Sequence, residues 1–228
     1  MKKLILYFAF ITSTLFAQSA INPKPLYNAA VVPEHMSTKT KKNRFFYLVV
    51  PEVAKAYRKM MTQYMDVKKA LKTGTQQKRI QKLKYTYRVQ TDHELLLALK
   101  PHPKSIVLAQ AAIESNWGTS RFFRKANNIF GMWSTTEKEP RIAAGIKRGG
   151  VHTVWLKKFA TLEESVEHYY LTIGRGKHYK ELRELRHASE NPFKILKKLD
   201  MYSEMGEQYT QSLANMIKYN KLLKYDRW

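Results

Sequence analysis

The sequence predicts a mainly α-helical protein with one small β-hairpin lobe, preceded by a basic helical segment. Three observations predict it. From Val53 onward apolar residues recur every three or four positions through most of the chain, the period of a half-buried helix. Thr91 with Glu94 and Thr161 with Glu164 have the spacing of capping boxes, which satisfy the first free N–H groups of a helix. In one stretch the period falls to two: Val151, Thr153 and Trp155 alternate with His152 and Val154 behind Gly145, Gly149 and Gly150. A small hairpin is expected there, over 140–159.

The first twenty residues stand apart. Lys2 and Lys3 precede an apolar block from Leu4 to Phe16, and the small residues Ala17, Ser19 and Ala20 follow. This is the layout of a signal peptide over 1–20, cleaved after Ala17 or Ser19. An uncleaved anchor is the competing reading, and the block is short for a membrane span, which needs about 20 apolar residues. An exported, periplasmic protein without stable membrane insertion is therefore expected.

Residues 21–50, interrupted by Pro23, Pro25 and Pro33, read as a linker whose Phe45–Val50 end forms an extended piece. Pro51 is expected to open a helix at the position where proline is tolerated. Residues 51–90 then form a basic helical extension, broken at Gly74. The main body is 91–228. In it, Pro101 ends a leucine-rich helix and Pro103 starts another through Ile106, Val107, Ala109, Gln110, Ile113 and Glu114. That helix is apolar nearly all round, so it belongs at the centre. Further helices are expected from Thr161, over 179–189, over 192–199 with Asn191 as cap, and over 206–223.

Lysine and arginine number 41 against 18 acids, a formal charge of +23. Between Lys39 and Arg88 the acids are only Glu52 and Asp66. Such a surface attracts polyanions. For an exported chain an acidic wall polymer fits better than nucleic acid, which is not expected as a partner; a solvated face that aids solubility is the plain alternative. The absence of cysteine excludes disulfides and thiolate metal sites. The seven histidines are scattered without metal-ligand spacing, so no metal or cofactor is expected.

Glu114 is the residue type that carries chemistry. It ends an apolar helix beside Ile113, with Trp117 one turn on. Loss of hydration favours its neutral form, and a helix C-terminus pushes the same way. A carboxyl group that keeps its proton can protonate a leaving oxygen, the first requirement for breaking a glycosidic bond. The competing reading is a helix-end glutamate paired with a neighbour such as Arg121.

The run Ala109-Gln110-Ala111-Ala112-Ile113-Glu114-Ser115-Asn116-Trp117-Gly118-Thr119-Ser120, followed by Asn127-Asn128-Ile129-Phe130-Gly131-Met132-Trp133, resembles the signature of bacterial peptidoglycan glucosaminidases, endo-β-N-acetylglucosaminidases with a lysozyme-like fold. Phe159 to Ser165, Tyr202-Ser203-Glu204 with Tyr209, and the helix Leu213 to Leu223 are similar to later blocks of that family. Lys147-Arg148-Gly149-Gly150 and Tyr219-Asn220-Lys221-Leu222 are most similar to its Bax-type branch. The resemblance covers 100–228. It implies a hydrolase cutting the β-1,4 bond after N-acetylglucosamine in cell-wall glycan strands, with Glu114 as general acid. It aligns Tyr202 with a tyrosine that orients the acetamido group or water. It also implies a second acid in the β-lobe, for which Glu137 and Glu139 are the candidates and Glu139 is chosen; the substrate's own acetamido oxygen is the alternative. Trp117, Ser120, Asn127, Asn128, Phe130 and Trp133 are the expected sugar-binding residues, with Phe130 mostly core and Trp133 exposed to ligand. Two other functions fit the same residues: a lytic transglycosylase, in which one glutamate serves as acid and then base, and a non-catalytic wall-binding protein.

Overall fold

The structure, a computed structural model, describes residues 27–148 and 152–227. The expected signal peptide over 1–20 and the hairpin tip at Gly149-Gly150 lie outside the described residues.

A long helix, α1 (Thr38–Thr73), spans the molecule. Ser37 caps its start by accepting from Thr40 N, and Gly74 ends it at φ 67°, with Thr75 N–H closing onto Ala70 O at 3.0 Å. Phe45, Val49, Val53, Ala56, Met60, Tyr64, Val67 and Ala70 are all buried, a continuous stripe at spacings of three and four. Two expectations are corrected here. Phe45–Val50 is helical, not extended, and Pro51 lies inside the helix instead of opening it. A mid-helix proline removes one hydrogen bond and costs about 3 kcal/mol. The buried stripe runs straight across Pro51, and burial of Phe45 and Val49 on one side with Val53 and Ala54 on the other offsets that cost. Residues 38–50 therefore belong to the helical body, and its packing against α3, α4 and α6 ties them into the core.

Four helices follow in quick succession: α2 (Gln77–Tyr87), α3 (Asp92–Leu99), α4 (Lys104–Glu114) and α5 (Arg121–Ala126). The Thr91–Glu94 capping box forms as expected at the start of α3. Every residue of α4 from Lys104 to Ala112 is buried. It is the central helix, contacted by α1 and α9.

The lobe is a two-stranded antiparallel hairpin, β1 (Arg141–Arg148) and β2 (His152–Lys157), with Arg141 opposite Lys157 and a register irregularity between Ala143 and Lys147. Helix α6 (Leu162–Arg175) starts at the Thr161 cap. A Cβ at Gly174 would come within 2.7 Å of the Tyr87 ring and 2.9 Å of Ala98 O, so glycine there permits close approach of α6 to α2 and α3. Helices α7 (Lys180–Ala188), α8 (Pro192–Ile195) and α9 (Glu207–Tyr219) complete the body.

The helix expected over 192–199 is shorter and continues as a 3₁₀ stretch, Leu196–Tyr202. In a 3₁₀ helix residues three apart eclipse. Leu196 and Leu199 are buried, and Tyr202 falls next in that row. The last helix also stops early, at Tyr219, because Lys221 adopts φ 52° and a short 3₁₀ turn, Leu222–Tyr225, buries Leu222.

Candidate active site

Glu114 is the last residue of α4, and the chain leaves it through a left-handed turn: Asn116, Trp117 and Gly118 have φ of 49°, 60° and 71°. Left-handed conformation costs a residue other than glycine about 1–2 kcal/mol, so the surroundings must hold this turn. They do so from two sides. The buried Ser115 hydroxyl donates to Ala111 O at 2.5 Å and accepts from Gly118 N at 2.8 Å. From α1, the buried Arg44 guanidinium donates to Gly118 O at 2.8 Å and also to the carbonyls of Asn28 and Ala29. Lys41 donates to the Asn116 side chain at 2.9 Å.

The Glu114 carboxyl is half-buried. Among the described residues no cation pairs with it, and Arg121 donates instead to Ala143 O. Its pKa is raised above the ordinary glutamate value because burial penalises the charge, against a smaller opposing effect from the Tyr209 hydroxyl. That hydroxyl donates to Oε1 at 2.7 Å. Tyr209 in turn accepts from Gln110 Nε2 at 3.1 Å, and Gln110 lies one turn before Glu114 on the same face of α4. One carboxyl oxygen is thus engaged by the protein, on an acid whose neutral form is favoured.

Tyr202 lies beside this pair without bonding to the acid. Its ring stacks on Tyr209, centroids 5.6 Å apart and 10° from parallel. Its own phenol is pushed well up by burial, then by Tyr209 and Glu114. The hydroxyl in contact with Glu114 is that of Tyr209.

Several expected sugar-binding residues are structural in this arrangement. The Trp117 ring packs edge-on against Phe45 and Phe46 of α1, with Lys42 Nζ 5.0 Å from its centre. Phe130 is 4% exposed and stacks on Tyr169 at 4.4 Å, which makes it core. Asn128 is 1% exposed, and its amide is fully engaged with backbone: it donates to Met132 O and Lys157 O and accepts from Met132 N, each at 2.9 Å. A sugar cannot reach it. Asn127 ends α5 in the left-handed region, φ 49°, and donates to the carbonyls of Phe159 and Ala160. Ser120 caps α5 by accepting from Phe123 N. Trp133 is 56% exposed and bridges to Leu156 of β2 at the base of the lobe.

The lobe carries both candidate second acids. Glu137 is exposed and pairs with Arg141 at 2.5 Å. Glu139 is half-buried, accepts from Ser134 Oγ at 2.7 Å and pairs with Lys157, contacts that hold its carboxyl below the ordinary range and hence ionised. The hydrogen bonds of both acids go to other partners than those of Glu114. A cavity of about 650 Å³ between α1, α2 and α6, lined by Lys59, Arg79, Phe159, Glu167 and His168 among others, is not lined by Glu114, Tyr202 or Tyr209.

Residues 94–222 match the family model described as mannosyl-glycoprotein endo-beta-N-acetylglucosaminidase. The chain belongs to this glucosaminidase family. Protein bax of Escherichia coli (strain K12) is 32% identical over 127 residues, which are 53% of this chain and 44% of that protein. The chain thus spans less than half the length of that curated relative. Two solved structures are similar in arrangement. The catalytic domain of the autolysin Auto from Listeria monocytogenes is 19% identical, over 85% of this chain and 92% of that one, with a TM-score of 0.49. The glycoside hydrolase domain of FlgJ from Salmonella typhimurium is 21% identical, over 62% and 86%, with a TM-score of 0.42.

Within the matched region of this glucosaminidase-family chain, two residues at the acid had no assigned role from sequence: Tyr209 and Gln110. Gln110 carried a usable signal. A glutamine in a helix apolar on every side must find partners for its amide, and it sits four residues before Glu114. Tyr209 offered none, since nothing in sequence separates it from Tyr202 as the hydroxyl that reaches α4.

Proposed function

We propose that this chain is a peptidoglycan hydrolase that cleaves the β-1,4 bond after N-acetylglucosamine, with Glu114 as general acid. The observation that carries this is the state of Glu114: half-buried, raised in pKa by burial, free of any ion pair among the described residues, and bonded through one oxygen to Tyr209. Membership of the glucosaminidase family supports the bond and the sugar.

In this reading the Glu114 proton passes to the glycosidic oxygen as the bond to the anomeric carbon breaks, and water completes hydrolysis at that carbon. The positive charge of the sugar needs a negative partner. Glu139 is ionised and fixed by Ser134 and Lys157, which suits a carboxylate that acts as nucleophile or base; Glu137, out in solvent, does not suit it. Tyr202 backs Tyr209 through ring stacking. Trp133 offers an exposed flat ring for a sugar face. The leader over 1–20 delivers the protein to the periplasm, where its basic helices α1 and α2 meet the acidic wall.

Digestion of purified sacculi followed by mass spectrometry tests the reading. Reducing N-acetylglucosamine ends are expected. Anhydromuramyl ends would replace it with a lytic transglycosylase, and binding without cleavage would replace it with a wall-binding protein.

A further inference from the structure

A line of buried polar side chains runs from the far side of the core to Glu114, and it is built from four elements and a connecting loop. Arg186 of α7, 2% exposed, places Nη1 3.4 Å from His102 Nδ1 in the loop before α4. His102 Nε2 is 2.7 Å from the Tyr169 hydroxyl of α6. Tyr169 is 2.5 Å from Gln110 Oε1, Gln110 Nε2 is 3.1 Å from the Tyr209 hydroxyl of α9, and Tyr209 is 2.7 Å from Glu114 Oε1.

The direction of every bond follows from the first. A guanidinium has donors and no acceptor, so Nδ1 of His102 must accept. The imidazole proton then sits on Nε2 and is donated to Tyr169. A hydroxyl has one proton, so Tyr169 gives its own to Gln110, which must present its carbonyl oxygen. The amide nitrogen therefore faces Tyr209 and donates, and Tyr209 has only Glu114 left to receive its proton. The charge at the origin is fixed as well: Arg186 is held by Leu97 O and Ala98 O at 2.9 Å each and no carboxylate pairs with it among the described residues. Burial lowers its pKa only to about 10, so it stays charged at neutral pH. His102, buried beside it, is held well below its ordinary value and stays neutral, as the bonding requires.

We propose that Arg186, His102, Tyr169 and Gln110 are positioning residues that act through Tyr209: their one-way hydrogen bonds fix Tyr209 as a donor to Glu114 Oε1, so the transferable proton of Glu114 is confined to Oε2. A hydroxyl free to rotate could instead accept from a protonated Glu114 and bind that proton away from the substrate. The chain removes this option, and successive donors pointing the same way polarise one another. This inference rests on Glu114 being the acid. The groups that face Glu114 are Tyr209 from α9 and Tyr202 from the 3₁₀ stretch; those around Tyr169 include Tyr170, Tyr179 and Tyr202.

The test is a ¹³C NMR titration of glutamate carboxyls in the whole protein, with the Glu114 signal assigned by its loss in Glu114→Gln, together with kinetics on sacculi. Gln110→Met keeps the shape of residue 110 and cuts the chain in the middle. Tyr169→Phe removes one hydroxyl upstream. Tyr170→Phe removes a buried hydroxyl that bonds to the backbone carbonyl of His102 and to none of the side-chain groups that make up the chain. The Glu114 midpoint is expected to move up in Gln110→Met and in Tyr169→Phe, and to stay in place in Tyr170→Phe. On sacculi, kcat is expected to fall about tenfold in the first two with KM held, the loss of roughly one hydrogen bond. An unmoved midpoint in a folded Gln110→Met would overturn the proposal. Should that variant not fold, an unmoved midpoint in Tyr169→Phe overturns it equally, as does the same shift in Tyr170→Phe. A wild-type protein inert on sacculi would instead overturn the hydrolase reading, and the titration alone would then decide the chain.

Discussion

The guanidinium of Arg44 donates a 2.8 Å hydrogen bond to the carbonyl of Gly118, and through it α1 grips the left-handed turn behind Glu114. The same side chain holds the carbonyls of Asn28 and Ala29. Replacing Arg44 with methionine retains most of the bulk and deletes all three bonds. Hydrogen bonds to charged groups contribute about 1.5–3 kcal/mol each; the buried Gly118 carbonyl loses its partner outright, while the less buried carbonyls of Asn28 and Ala29 can turn to water. A loss of about 2–4 kcal/mol in urea unfolding is expected, with reduced kcat because the turn relaxes. Unchanged unfolding would show that the grip is incidental.

Asn128 and Trp133 separate structural from binding roles. Asn128→Ala breaks three hydrogen bonds, two of them buried, and should cost about 2–4 kcal/mol in unfolding experiments while leaving KM of the surviving folded enzyme in place. Trp133→Ala, at an exposed site, should change stability by about 0.5 kcal/mol or less and raise KM on sacculi. The reverse pattern would return Asn128 to the substrate and make Trp133 a strut.

Glu114 has a stability consequence of definite sign. Its folded pKa lies above the reference value of 4.5, so the folded state binds the proton more tightly than the unfolded state does. The protein is then penalised as pH rises through that interval, and the penalty is complete above the folded pKa. Glu114→Gln should therefore melt at a higher temperature than the parent at pH 8. The gain should shrink as pH drops below 4.5, where both forms are neutral. Calorimetry across pH measures this, and a destabilised variant at pH 8 would contradict a strained acid.

Lys68, Lys69, Lys72, Lys78 and Lys82 on α1 and α2 are exposed and carry no ion pair among the described residues. If this face meets acidic wall, association with sacculi should weaken steadily as salt rises, since screening lengths fall from about 10 Å at 0.1 M to 3 Å at 1 M. Salt-independent sedimentation with sacculi would leave the lysines as a solubility face.

Much of this arrangement was legible in the sequence, and the failures have physical causes. The capping box at Thr91, the helix cap at Thr161 (where Glu164 reaches back to Ala160 N and not to Thr161 N) and the central position of α4 followed from local chemistry, and so did the hairpin within 140–159. Pro51 misled, because a proline rule about helix interiors gave way to a buried stripe running from Phe45 to Ala70. Asn128 read as ligand-facing because residue type says nothing about burial, and its amide is instead spent on backbone; Phe130, expected to be mostly core, is buried against Tyr169. The Tyr209 contact depends on how α9 docks against α4, a tertiary fact that spacing along the chain does not encode.

The most direct test of Glu114 as the acid is sacculus digestion by the parent and by Glu114→Gln, with released ends identified by mass spectrometry and binding measured in the same samples. The parent should release reducing N-acetylglucosamine ends, and the variant should bind sacculi as well as the parent while releasing none. Undiminished release by the variant would contradict the assignment of Glu114.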